Sequence, residues 1–396
     1  MAVPATLVVS IALVLAGVVY AALGPTEERA PAQRQAKPAP KVALKGTAII
    51  RLGSTFHAAG GYDRYSYIVV DVNDALAAGV RKYPGTTLVY MNGTSLPDNY
   101  FTGVDLAEAV AKDWVLKDAN GANIVNVDYD HVVGDFGNRA YQERFVQNVV
   151  AFLKRTKNDG IFLDDVVAAP VSFTGGRLPV RYPSPEAWED AMLSFVSTVG
   201  KGLRSRGYYF LVNPSKFISG DGRSDTAELM TGWWRRLAPN VDGFMSEYWM
   251  QNAVDITQQR AIGPAWYENW QGWQSLQRVA QSAGRDFFAL FYAAGTDVPV
   301  MRYARGAFLL DWNGRGGALM YEPTDRADPY HPMWVKQVGL PLHPKSQIAP
   351  GVWQRRYEKA LVVVNATTGP VTVRVGGKPF TIAATDALFA RPPRTR

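Results

Sequence analysis

The feature that most constrains this chain is a repeated alternation between short apolar runs and amphipathic stretches. From residue 47 the runs are TAIIRLGST (47–55), YSYIVVDV (65–72), TTLVYMN (86–92), GIFLDDV (160–166), YYFLVNPS (208–215), VDGFMSEYW (241–249), DFFALFYA (286–293) and GALMYEP (317–323). Their length and their content of Val, Ile, Phe and Tyr read as strands, and apolarity on both faces reads as parallel strands buried on both sides. Between them lie stretches with helical spacing, such as RAYQERFVQNVVAFLKRT (139–156), SPEAWEDAMLSFVSTVGKGLRSRG (184–207) and NWQGWQSLQRVAQSAGR (269–285). Eight strands alternating with helices predict an α/β protein built as a (β/α)8 TIM barrel. An open doubly wound sheet is the rival, but no Gly-rich dinucleotide fingerprint follows the first strand.

The flanks have a different character. Residues 1–24 hold no charge after Met1, and LVVSIALVLAGVVYAA is long enough for the roughly 20 residues of a bilayer core, so a signal peptide or a membrane anchor is expected. Both readings put the remainder outside the cytoplasm, secreted or membrane-anchored. Residues 25–46 are rich in Pro and Ala without apolar periodicity, which predicts a semi-extended linker. The barrel is assigned to 47–346, a small antiparallel β-domain to 347–391, and a basic tail to 392–396. Residues 93–135 interrupt the pattern after the third strand, and the Asn120-Gly121 pair there signals a hairpin or flap.

Charge and composition exclude several classes. The formal charge is +7, but the linker carries three of these charges and the tail RPPRTR another three, so the body between them is near neutral and gives no sign of nucleic acid binding. No cysteine is present, which removes disulfides, thiolate metal sites and a cysteine nucleophile. There is no Gly-x-Ser-x-Gly elbow, and His57, His131, His331 and His343 make no HExxH pair. Asp128, Asp130 and Asp135 of DYDHVVGD have the donors for a calcium ion, but solvated loop acids explain them as well. No cofactor is expected.

In a barrel of this kind the chemistry stands at the C-terminal ends of the strands. Those ends carry Arg51 and His57, then Asp71, then Tyr90 and Asn92, then the doubled carboxylates Asp164 and Asp165. They continue with Asn213, with Glu247, Tyr248 and Trp249, with Tyr292, and with Tyr321 and Glu322. Carboxylates, amides and aromatic rings around one mouth suit a poly- or oligosaccharide substrate. Glycosidic cleavage needs one protonated and one ionised carboxyl. Asp164 and Glu247, two strands apart, form the best-placed pair, and the aromatic neighbours of Glu247 predict the desolvation an acid requires. Strand alternation does not choose between Asp164 and Asp165. Trp249 is the one Trp expected on the substrate; those at 233, 234, 266, 270 and 273 are expected to pack helices onto the barrel.

DGIFLDDV, followed about 80 residues later by VDGFMSEYW, resembles the bacterial barrels described as hypothetical glycosyl hydrolases. More distantly it is similar to endo-galactosaminidase-like, alpha-galactosidase and alpha-amylase barrels. The resemblance implies that Asp164, the last residue of an amylase-like DG…LD pattern (Asp159, Gly160, Leu163, Asp164), is the nucleophile, and that Glu247 is the acid/base. It also implies that the C-terminal VWQRRYEKALVVVNATTGPVTV is the small β-domain that closes many such enzymes. Phe162 stands where amylases carry an Arg, and no amylase-type His-Asp pair follows the sixth strand, so amylase activity itself is not expected. The reading from the residues is a glycoside hydrolase using two carboxylates, which the resemblance implies to be retaining, with inversion left open by the residues themselves; the alternative is a surface-anchored glycan-binding protein on a degenerate barrel.

Overall fold

The computed structural model describes residues 48–53, 66–76, 80, 83–98, 100–127, 129–215, 227–247, 249–250, 267–293, 297–323 and 337–392. Along the chain these form strands β1 (Ala48–Gly53), β2 (Tyr67–Val70), β3 (Thr86–Asn92) and β4 (Ser95–Leu96), helix α1 (Leu106–Ala111), and strands β5 (Val125–Asn126) and β6 (His131–Val133). Next come α2 (Arg139–Thr156), β7 (Gly160–Val167), α3 (Pro170–Thr174), α4 (Pro185–Arg204), β8 (Tyr209–Ser215), α5 (Ala227–Leu237) and β9 (Gly243–Ser246). The barrel finishes with α6 (Tyr267–Ser282), β10 (Asp286–Ala293), α7 (Val298–Asp311) and β11 (Ala318–Pro323).

Eight of these strands close a parallel barrel in the order β1-β2-β3-β7-β8-β9-β10-β11, with β11 returning to β1. Neighbours in the barrel are successive barrel strands of the chain, joined by seven crossovers, and β11 closes on β1. Each of the eight apolar runs in the sequence supplies one strand. Local signals set where the helices start. The Asn138 side chain accepts from the Ala140 and Tyr141 amides ahead of α2, the Ser184 hydroxyl from the Ala187 amide ahead of α4, and Asp297 from the Val300 amide ahead of α7.

The interior is packed by side chains that recur every second residue. Tyr67, Val69, Leu88, Phe162, Leu211, Met245, Phe288, Leu290 and Ala318 fill the barrel axis. The alternate residues, such as Ile68, Val89, Ile161, Leu163, Val212 and Phe287, face the helices and join a larger outer core with Trp188, Trp233, Trp234 and Trp270. Gly160 opens β7 because a Cβ there would stand 2.0 Å from the Tyr209 carbonyl oxygen, so β7 and β8 approach too closely for a side chain.

Two additions flank the barrel. After β3 the chain forms a three-stranded sheet, β4-β6-β5, and a hairpin in which Lys117 bridges Asn123 across a turn with Gly121 at φ 80°. After the barrel come β12 (Ser346–Ala349), β13 (Val352–Arg356), β14 (Leu361–Asn365), β15 (Val371–Val375), β16 (Lys378–Ile382) and β17 (Asp386–Ala390). These strands form a four-stranded antiparallel sheet, β12-β13-β14-β17, and the β15-β16 hairpin. Helix α7 lies directly on that sheet: a Cβ on Gly306 would stand 2.7 Å from Ala387 Cβ. Arg302 of α7 binds Asp386 through two nitrogens, with Nε 2.6 Å from Oδ1, and the Arg305 guanidinium sits 5.3 Å from the Phe389 ring. Among the described residues no helix is long and apolar enough to cross a membrane; residues 1–47 lie outside them.

Candidate active site

The axial files of alternating residues run out of apolar members at the C-terminal end of the barrel and continue as polar ones. Leu88 is followed by Tyr90, Phe162 by Asp164, Leu211 by Asn213, Met245 by Glu247 and Leu290 by Tyr292. The strand period of two therefore converges these five side chains on one point above the barrel core.

They are joined by hydrogen bonds. The Asn213 amide nitrogen donates to Asp164 Oδ1 at 2.9 Å and to Glu247 Oε2 at 2.9 Å. Both oxygens lie the same distance from one nitrogen, so the gap between them is at most twice 2.9 Å, about 5.8 Å. The Tyr90 hydroxyl donates to Asp164 Oδ2 at 2.9 Å, and the Tyr292 hydroxyl to Glu247 Oε1 at 2.7 Å. Asp164 Oδ1 also accepts the Asp165 amide at 2.9 Å. Each carboxylate is thus held at both oxygens. Burial, then the charges of Asp164 and Asp165, push the Tyr90 phenol well above its ordinary pKa, so it stays a donor.

The doubled carboxylate is resolved by a bulge. The register of β7 against β8 slips between Leu163 and Val166, and Asp165 takes a left-handed φ of 55°. In a regular strand Asp165 would point into the helix layer with Leu163. The bulge instead lets its Oδ2 accept from the Asn92 amide at 2.5 Å. Asn92 is buried, and its oxygen accepts from the Thr94 and Ser95 amides. Expected as a substrate contact, Asn92 is instead buried with both ends of its amide engaged by protein.

Trp249 requires a plainer correction. It was expected on the substrate, but its indole is fully buried: Nε1 donates to the Ala304 carbonyl of α7 at 3.2 Å, and the ring packs edge-on to Phe287 at 5.3 Å. It wedges α7 against β10, so it is not among the aromatic neighbours expected beside Glu247. Asp71 is partly buried, and its Oδ1 accepts the Asn73 amide at 2.8 Å in the turn after β2. Arg51 lies within β1 opposite Ile68, and Glu322 pairs in register with Tyr292. His57 and Tyr248 lie outside the described residues. Of the calcium-like acids, Asp135 is buried and bound by Arg181 and Tyr182, and Asp128 lies outside the described residues. Asp159 of the DG…LD pattern sits at the opposite end of β7, where its Oδ2 accepts the Thr87 amide at 2.9 Å. That residue ties β3 to β7 and is remote from the site.

One residue of the site was not singled out in the sequence. Tyr100, from the segment after β4, is pushed up to about 12 by burial and then by the charges of Asp71, Asp165 and Asp164, so it lies within electrostatic range of those carboxylates. The signal was an aromatic residue in the polar loop PDNYFTG, which carries no meaning in the sequence alone.

Comparison with known proteins decides the class. The description hypothetical glycosyl hydrolase family 15 matches residues 75–361. The chain belongs to that family. Glycoside hydrolase is therefore its enzyme class, and the match spans six of the barrel's eight strands, from β3 to β11. No curated protein sequence matches the chain. Among solved structures it is similar to the glycoside hydrolase domain of PelA from Pseudomonas aeruginosa, at 14% identity over 69% of this chain and 94% of that one, with a TM-score of 0.43. It is also similar to an alpha-amylase from Geobacillus thermoleovorans (12% identity, 88% and 97% covered, TM-score 0.49). An alpha-galactosidase from Lactobacillus brevis matches at 11% identity, with 89% and 53% covered and a TM-score of 0.45.

Proposed function

We propose that this family member is a retaining glycoside hydrolase acting on an extracellular or cell-envelope poly- or oligosaccharide, with Asp164 as nucleophile and Glu247 as acid/base. The observation that carries it is the shared donor: one Asn213 nitrogen bonds both carboxylates, which caps the gap between the bonded oxygens at about 5.8 Å. Retaining enzymes hold their carboxyls at about 5–5.5 Å, and inverting ones at about 6.5–9.5 Å to admit a water. A glycan-binding protein has no use for two carboxylates held at that spacing.

In the first step a sugar ring enters between the two carboxylates. Asp164 attacks the anomeric carbon, the bond to the leaving oxygen breaks, and Glu247 delivers its proton to that oxygen. In the second, Glu247 takes a proton from water, the resulting hydroxide equivalent attacks the anomeric carbon, and Asp164 leaves. The Tyr292 hydroxyl supports both states of Glu247, since it donates to the carboxylate and can turn to accept from the acid. The apolar segment 1–24 and the Pro-rich 25–46 support a secreted or membrane-tethered location.

The test is proton NMR of the first-formed product, with Asp164→Asn and Glu247→Gln alongside. The expected results are retention of the anomeric configuration and losses of about a thousandfold in kcat for each variant. Inversion, or wild-type turnover by Asp164→Asn, would sink the assignment.

A further inference from the structure

We infer that the sheet rising from the end of β3 carries a second carbohydrate-binding subsite, an aromatic shelf made by Tyr100, His131 and Tyr129, which holds a sugar unit flanking the one cleaved at Asp164 and Glu247. The inference rests on the glycoside hydrolase reading of the same mouth. Its starting point is a gap: a glycan site needs ring faces to stack on, and Trp249, the aromatic residue expected there, is sealed in the core.

The shelf supplies the faces. Tyr129 stacks on His131 with centroids 5.8 Å apart and 24° between planes, and Tyr100 meets His131 edge-on at 6.4 Å. All three residues are partly exposed, beside Val127, which is 53% exposed. Three adjoining rings left in contact with water, next to an exposed aliphatic residue, mark a binding surface more than a folding core.

The geometry ties the shelf to the catalytic groups. Asn92 donates to Asp165 and accepts from the Ser95 amide, which opens β4; Ser95 pairs with Val133 and Leu96 with Val132 of β6, the strand that begins at His131. The sheet is thus anchored by the same amide that positions the second carboxylate of β7, and Tyr100 lies within electrostatic range of Asp71, Asp165 and Asp164. Burial holds the His131 pKa below its ordinary value against the opposing charges of Asp98 and Asp130, so at neutral pH the ring presents an uncharged face. Exposed hydroxyl acceptors are at hand in the carboxylates of Asp98 and Asp130.

The experiment uses the full chain with Asp164→Asn to hold substrate. It is titrated calorimetrically with hexasaccharides and disaccharides of α-1,4-glucose, β-1,4-glucose, β-1,4-mannose, β-1,4-N-acetylglucosamine and β-1,4-glucosamine. We expect a hexasaccharide to bind, and Tyr129→Ala to weaken it about tenfold while leaving the matching disaccharide within twofold. Tyr129→Phe, which keeps the ring, should bind as the parent does, and this separates stacking from loss of the fold. Equal losses on both lengths, no loss on either, or no hexasaccharide bound at all would overturn the shelf. Binding that depends on the shelf in Asp164→Asn, with no hydrolysis by the native chain, would instead refute the hydrolase mechanism and leave the subsite standing.

Discussion

Asp286 opens β10 at the base of the barrel, at the opposite end from the candidate site, and its carboxyl points onto the axis. There its Oδ2 accepts from the Tyr209 hydroxyl at 2.8 Å, and a Cβ on Gly316 would meet its Oδ1. Burial is the largest influence and pushes its pKa from 3.8 up to about 6; the Tyr209 hydrogen bond opposes the rise and Asp242 adds to it. The sign follows from linkage: between pH 3.8 and about 6 the folded chain keeps a proton that the unfolded chain has lost, so stability falls as pH rises through that window and levels off above it. A shift from 3.8 to about 6 corresponds to about 3 kcal/mol at 1.36 kcal/mol per unit, an upper bound because the residue is partly exposed and water screens it. Asp286→Asn retains an acceptor for Tyr209 and cannot ionise. Equilibrium urea unfolding of both proteins at pH 4 and pH 8 isolates the effect, because every other titrating group cancels in the difference. The variant should gain up to about 3 kcal/mol over the parent at pH 8 relative to pH 4. Parallel curves for the two proteins across that range would show that burial does not hold the proton on Asp286.

Three further outcomes are expected. Asn213→Ala removes the donor shared by the two carboxylates and should lower kcat by about a hundredfold or more, with a smaller change in KM, as steady-state kinetics on any turned-over glycan would show. Trp249→Ala should cost about 3–5 kcal/mol in urea unfolding by opening a cavity between β10 and α7, whereas a substrate-stacking Trp would cost little stability and much KM. Arg302→Ala breaks the two-nitrogen contact with Asp386 and should destabilise the packing of α7 on β17 by about 2 kcal/mol, read as faster proteolysis or hydrogen exchange in residues 346–390.

What the sequence by itself determined is the scaffold and the address of the chemistry. Eight runs too short for helices and apolar on both faces leave a parallel barrel as the consistent solution, and a barrel sends polar strand ends to one mouth. Asp164, Asn213, Glu247 and Tyr292 follow from that rule. In hindsight the period of two also carries the choice of Asp164: it stands two residues beyond Phe162, as Asn213 stands two beyond Leu211. That file is hidden in the sequence because parallel strands bury both faces and erase the polar alternation that would mark one of them.

Tertiary structure decided the rest. The bulge at Asp165 is a local backbone departure, whereas the burial of Trp249 against Ala304 and the double hydrogen bond of Asn213 are contacts between residues 34 to 55 positions apart. Neither leaves a local pattern. Local sequence fixes periodicity and caps because those are settled within a turn or a strand. The pairing of one carboxylate with another is settled only when the barrel closes and brings β7 and β9 to either side of β8.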